Sequence, residues 1–170
     1  MSLTPIAIGA AVVFALVVLV AAAAVSGRTS ADAFGRFSRK PLLNKSEKRL
    51  ALALDDIAPG VFGPGARVLS QVSYGEFLKG EDQVAHGRIN QKRADFVIVD
   101  ADFEVLCVIE YQGAGHYGSD AKARENAEYR DRVKRAACAS AGIPLVEVAQ
   151  RVSSQSLRAQ ISRVATKIAT

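Results

Sequence analysis

Residues 109–120 read IEYQGAGHYGSD, and two architectures compete for them. Gly113, Gly115 and Gly118 form a literal G-x-G-x-x-G, the mark of a dinucleotide-binding loop. Glu110 and Gln112 instead suggest the carboxylate-bearing end of a metal-binding strand. A dinucleotide loop needs a helix whose bare N-terminus faces a pyrophosphate, and an acidic residue about 20 positions further on. Here the following helix opens with Asp120, which repels an anion. The next strand's acid, Glu147, lies 29 residues beyond Gly118, and only one strand and one helix follow the charged helix. Glu110 would also crowd the phosphates. The glycines are better explained as a sharp turn from strand to helix, with Gly115 or Gly118 at positive φ.

The flanking sequence supplies the strands. RADFVIVD, ending at Asp100, and EVLCVIEYQ, residues 104–112, are apolar on both faces. Joined by a tight turn at Ala101-Asp102, they predict an antiparallel hairpin in the centre of a sheet. RVLSQVSY, residues 67–74, alternates as a further strand, and LVEVA, residues 145–149, is a fourth. A helix is expected from about Ser46, capped by Asn44 or Ser46, with Leu50, Leu52, Ala53 and Leu54 at mostly helical spacing. Pro59-Gly60 is expected to end it. A long charged helix should run from a Ser119 cap to about Ala141, stopped by Gly142. Residues 75–92 are polar and read as a long loop that has room for a helical turn. The C-terminal segment is amphipathic, with Leu157, Ile161, Val164 and Ile168 on one stripe. A mixed α/β sheet with helices packed on it follows.

Residues 1–27 carry no charged side chain, and the 21 residues from Pro5 to Val25 are almost unbroken apolar sequence. As a helix at ~1.5 Å per residue they reach about 31 Å, enough to cross a bilayer. No basic residue precedes the run. Arg28, Arg36, Arg39, Lys40, Lys45, Lys48 and Arg49 follow it. This charge asymmetry predicts an uncleaved single-span anchor in the cytoplasmic membrane, with the remainder facing the cytoplasm, rather than a signal peptide cut near Ala22-Ala23-Ala24. Residues 28–45 then form a juxtamembrane linker, and residues 46–170 the functional domain. All 22 basic and 17 acidic residues lie beyond residue 27, so this part carries the net charge of +5. That balance is compatible with a polyanionic partner. Cys107 and Cys138, in apolar or Ala-rich surroundings, read as small buried hydrophobes rather than a disulfide or a zinc site.

Two acids stand out. Asp95 lies inside one apolar strand and Glu110 near the end of its neighbour. Burying a carboxylate costs several kcal/mol unless it is paired or metal-bound, and two adjacent ones repel. A shared cation resolves both problems. Mg²⁺ takes oxygen ligands, so Asp95, Glu110 and a strand carbonyl such as that of Tyr111 suit it. Gln112 shares the face of Glu110 and can hold a metal-bound water or a phosphate. Asp131 and Lys134 lie three apart on one face of the next helix. Lys134 either looks back over the sheet as the positive charge that Gln112 lacks, or is an ordinary surface residue. Glu47 is either a third carboxylate near the metal or a favourable charge at a helix N-terminus. His116 is either a proton carrier or phosphate ligand, or a polar loop residue. His86 has no evident partner.

This layout resembles the PD-(D/E)XK restriction-endonuclease-like superfamily, whose core runs helix, three strands, helix, strand. The likeness spans residues 41–149 and rests on KPLLNKSEKRL, VLSQVSY, KRADFVIVD, VIEYQGAGH and YRDRVKRAACASAGIPLVEV. More narrowly, the chain is similar to a bacterial domain family of unassigned function. It shares with that family a DF-x-x-x-D strand and a D-x-x-K helix before a GIP strand. The resemblance implies Asp95 and Glu110 as metal ligands, Glu47 as the first-helix acid and Lys134 as a relocated lysine. It departs from the superfamily in having Gln112 where the usual lysine stands, and Ala94 rather than proline before Asp95. The expected function is metal-dependent hydrolysis of nucleic-acid phosphodiesters with Mg²⁺ or Mn²⁺, the basic stretch from Lys79 to Arg93 touching the backbone. The alternative is a catalytically inactive module that binds nucleic acid or a protein partner at the membrane.

Overall fold

A computed structural model describes residues 35–113 and 121–168. The expected anchor, the start of the linker, and the glycine loop with His116 and the Ser119 cap lie outside the described residues. No helix among the described residues is long and apolar enough to cross a membrane. Leu42–Thr170 make one compact unit; of the other, Met1–Pro41, residues 35–41 are irregular and exposed.

The compact unit is mixed α/β. Helix α1 (Lys45–Phe62) leads into β1 (Arg67–Ser73), a 3₁₀ turn (Tyr74–Glu76) and α2 (Gln83–Ile89). The hairpin β2 (Arg93–Val99) and β3 (Val105–Gln112) follows, then α3 (Ala121–Ser140), β4 (Leu145–Ala149) and α4 (Ser154–Ile168). The four-stranded sheet has the order β1-β2-β3-β4. The first two pairings are antiparallel and β3-β4 is parallel. β2 and β3 are therefore central, as their two-sided apolar pattern requires.

Alternation sorts the strand residues onto two faces. One face sets Phe96, Ile98, Cys107, Ile109, Tyr111 and Val148 against α1 and α4. There Leu50, Leu54, Ile57 and Ala58 of α1 meet Leu157, Ile161 and Val164 of α4, all buried. The other face sets Val97, Val99 and Val108 against Tyr74, Leu78, Ile89 and Cys138, from the 3₁₀ turn onward through α2 and α3.

Several expectations are corrected. In residues 75–92 the helical turn that the loop had room for is a seven-residue helix. These residues contain the end of the 3₁₀ turn and α2, whose N-cap Asp82 accepts a hydrogen bond from the Ala85 amide at 2.7 Å. Only Ile89 of α2 is buried, so the segment lacks the apolar stripe that reveals a helix. α1 does not stop at Pro59 but continues to Phe62, and Gly63 at φ 105 ends it. Pro59 removes one amide, whose helical acceptor would be the carbonyl of exposed Asp55, where water can substitute. Leu52 is 60% exposed and Ile168 is 44% exposed, so neither belongs to its helix's buried stripe. The hairpin turn is also wider than Ala101-Asp102. The Asp100 carboxylate accepts from the amides of Asp102 and Glu104, both at 2.9 Å, and Phe103 adopts φ 65.

Candidate functional site

Site geometry begins with the β2-β3 register. Phe96 pairs with Ile109, which sets Asp95 across from Glu110. Both share a face with Val97, Val99 and Val108, beneath α3. Asp95 is half-buried, and its Oδ2 accepts the Tyr111 amide at 2.8 Å. One carboxylate is thus fixed to the backbone of the strand that carries the other.

Glu110 is 4% exposed. Its Oε1 accepts the Tyr74 hydroxyl at 2.7 Å, and its Oε2 accepts Lys134 Nζ at 2.7 Å. Lys134 comes from α3 and is no surface residue, its side chain being 14% exposed. Its ammonium also lies 5.6 Å from the centre of the Tyr74 ring, within cation–π range. The helix face carrying Asp131 and Lys134 therefore looks back over the sheet, and Asp131 is buried one turn before Lys134.

Burial pushes the Glu110 carboxyl above the ordinary carboxylate range. Lys134, by charge and hydrogen bond, and the Tyr74 hydrogen bond pull it back, while Asp95 adds to the rise. Tyr74 is fully buried, and its phenol is pushed up by burial first and by Glu110 second. It remains a neutral donor. The Cys138 thiol is pushed up to about 11, chiefly by burial. Cys107 rises to about 12 for the same reason. Both cysteines are free and buried, as expected of small packing residues.

Gln112 lies at the end of β3, on the face of Glu110. Its Oε1 is buried and has no hydrogen-bond partner among the described residues. A buried orphan amide oxygen on the same sheet face as two carboxylates is a cost that a cation or an ordered water would relieve. Among the described residues no three His, Cys, Asp or Glu side chains cluster as a metal site. The donors present are two carboxylates and an amide oxygen, a hard set that suits Mg²⁺ or Mn²⁺ with water completing the shell, and not Zn²⁺. The Tyr111 carbonyl accepts the Gly113 amide at 3.1 Å, so as a ligand it would share that turn contact.

Glu47 has a different position. Its Oε2 accepts the Asn44 amide at 2.8 Å, while the Asn44 side chain accepts the amides of Ser46 and Glu47. This is a capping box at the start of α1. His86 is half-buried in the last turn of α2. Tyr74 is the residue that sequence reasoning missed. Its only signal is an aromatic residue closing the alternation of β1, just before Gly75. Its reach to Glu110, 36 positions away, depends on tertiary placement.

A further local feature borders Asp95. Ser70 pairs with Phe96 and Val72 with Ala94, leaving Gln71 opposite Asp95 at φ 58. This left-handed backbone is unfavourable for glutamine, and strain of this kind gathers at functional sites.

Comparisons with known proteins give a family and uncharacterized relatives, and assign no activity. A family model described as "Protein of unknown function (DUF2726)" matches residues 39–165. An uncharacterized protein of Haemophilus influenzae is 46% identical over 112 residues, 66% of this chain and 55% of that protein. The chain thus spans about half the length of that relative. Uncharacterized protein y4bI of Sinorhizobium fredii is 36% identical over 132 residues, 78% of this chain and 88% of its own length. No solved structure matches the chain. With the family model and the y4bI likeness both covering most of its length, the chain belongs to the DUF2726 family of proteins of unknown function.

Proposed function

We propose that the chain is a metal-dependent phosphodiesterase acting on nucleic acid, with its site at the ends of β2 and β3. The observation that carries this reading is the convergence of Asp95, Glu110 and the orphan Gln112 oxygen on one sheet face, with Lys134 2.7 Å from Glu110. The resemblance to the PD-(D/E)XK layout adds to it, and Lys134 then supplies the charge that Gln112 lacks. Asp95, Glu110 and Gln112 would hold Mg²⁺ or Mn²⁺. Bound there, such an ion activates water and neutralises charge building on a phosphodiester. The Tyr111 amide holds Asp95, and the Tyr74 hydroxyl holds Glu110 in a single orientation. Lys134 neutralises Glu110 in the free protein and offers its remaining donors to a phosphate oxygen.

The test is a cleavage assay on the full chain in mild detergent. Single- and double-stranded DNA and RNA are offered with Mg²⁺ or Mn²⁺, beside Asp95→Ala/Glu110→Ala. Cutting that needs the metal and vanishes in the folded double variant is the expected result. Retained cutting by that variant refutes the assignment. The second reading, an inactive binding module, draws on a specific feature: both Glu110 oxygens already accept hydrogen bonds from the protein. It predicts no cutting by the wild type, with salt-sensitive binding of nucleic acid retained.

We also propose that residues 1–27 anchor the chain in the membrane with residues 46–170 in the cytoplasm. Protease added outside intact cells should leave the C-terminal part whole; its digestion there would reverse the topology.

A further inference from the structure

On the opposite side of the strand ends lies a cavity of about 500 Å³. It sits where β3 and β4 finish side by side, Gln112 being paired with Ala149. In open α/β sheets the crevice beyond the carboxyl ends of parallel strands is the usual place for a ligand. Arg151, from the segment after β4, and Arg49, from the second turn of α1, both line it, with Ser46, Gln150 and Ser154. No carboxylate among the described residues does. Among the described residues Arg49 reaches only the Ser46 hydroxyl, at 3.3 Å, and neither guanidinium has an ion-pair partner. Arg135 and Arg158, by contrast, are placed on Glu147 and Asp56.

Two exposed guanidiniums that line one cavity, with no carboxylate beside them among the described residues, make it a place where an anion is favoured. Arginine's planar fork suits a phosphate in particular. The floor connects this cavity to the carboxylate site. The Tyr111 ring lines the cavity while the Tyr111 amide holds Asp95 across the sheet. A chain of phosphates passing over the end of β3 would meet both.

We propose that this cavity is a phosphate subsite for a single nucleic-acid strand, with Arg49 and Arg151 each gripping the backbone. The inference deepens the nuclease reading, and it is tested without metal so that the two can fail separately. A fluorescent single-stranded oligonucleotide is titrated into the full chain in EDTA, with anisotropy as readout. Arg49→Ala/Arg151→Ala should weaken binding by about ten-fold or more, and the salt dependence should flatten by about 1.4 in slope, since each single-strand phosphate contact contributes about 0.7. Arg163→Ala/Lys167→Ala removes the same charge from α4 and should change affinity by less than about two-fold. Arg49→Lys/Arg151→Lys should restore most of the salt slope but not all of the affinity.

Equal losses in both alanine pairs would reduce the cavity to general surface charge and overturn the proposal. No binding by the wild type, or binding only to vesicles of anionic lipid, would overturn it as well. Loss of binding in the cavity variant of a protein that cuts nothing supports the subsite and removes the nuclease reading. Normal binding by that variant in a protein that does cut removes the subsite alone.

Discussion

The two faces of the sheet are built from the same strands and do different work. The face beneath α1 and α4 is a continuous apolar core from Leu50 to Val164. The face beneath α2 and α3 is apolar only towards Val97, Val99 and Val108; at the strand ends it buries Glu110, with Lys134 and Tyr74 to match it. A buried ion pair is weak evidence for stability, because desolvation offsets the attraction. A fold with one well-packed face can carry such a pair on the other. The contrast teaches that function is to be sought where an apolar burial pattern is broken by charge and by a polar atom left without a partner among the described residues.

The contrast can be broken most directly at Lys134. Lys134→Ala leaves Glu110 buried beside Asp95 and should cost about 3–5 kcal/mol near neutral pH, read by urea denaturation. The effect should depend on pH in a definite sense. Glu110 has a folded pKa above its ordinary value, so the folded chain binds its proton more tightly than the unfolded one. That contribution to stability is present in acid and is lost as pH rises through the folded pKa. Without Lys134 the pKa rises further, so the variant should regain more stability than wild type as pH falls from neutral into acid. Parallel pH profiles would show that Lys134 does not control Glu110.

On the other face, Leu54→Ala opens a cavity at a fully buried position and should cost about 2–5 kcal/mol. It should do so equally at neutral and acid pH, because that apolar cluster holds no carboxylate or imidazole. A pH-dependent loss there would mean that the faces are not separable. Tyr74→Phe removes one hydrogen bond to a buried carboxylate and should cost about 1.5–3 kcal/mol. The Glu110 titration, followed by NMR, should move upward with it. The smallest effect is expected at α1's start. Asn44→Ala breaks the capping box for about 1 kcal/mol, and freeing Glu47 from that cap should leave any cleavage rate unchanged. A large fall in rate at equal stability would return Glu47 to the site.

Much of this contrast was legible in the sequence. Two-sided apolar strands marked β2 and β3 as central, and a carboxylate within each marked Asp95 and Glu110 as partners across a register. The period of two put Gln112 on the face of Glu110. The spacing of Asp131 and Lys134 put them on one helix face but did not say which way it looked; only the packing of α3 on the sheet decided that. Tyr74 was hidden because a phenol contributes to a site through where its hydroxyl reaches, and no local pattern encodes that reach. The bounds of α2 were hidden because it buries one residue, so the polar stretch showed only room for a helical turn. Pro59 misled because a proline near a helix end costs only one exposed hydrogen bond.

The central claim is that a divalent cation belongs between the two strands. Titration of the full chain with Mn²⁺, followed by electron paramagnetic resonance, addresses it directly. The account predicts that the wild type takes up an ion, and that Asp95→Ala/Glu110→Ala, folded by circular dichroism, does not. Equal uptake by both proteins, or by neither, would contradict it.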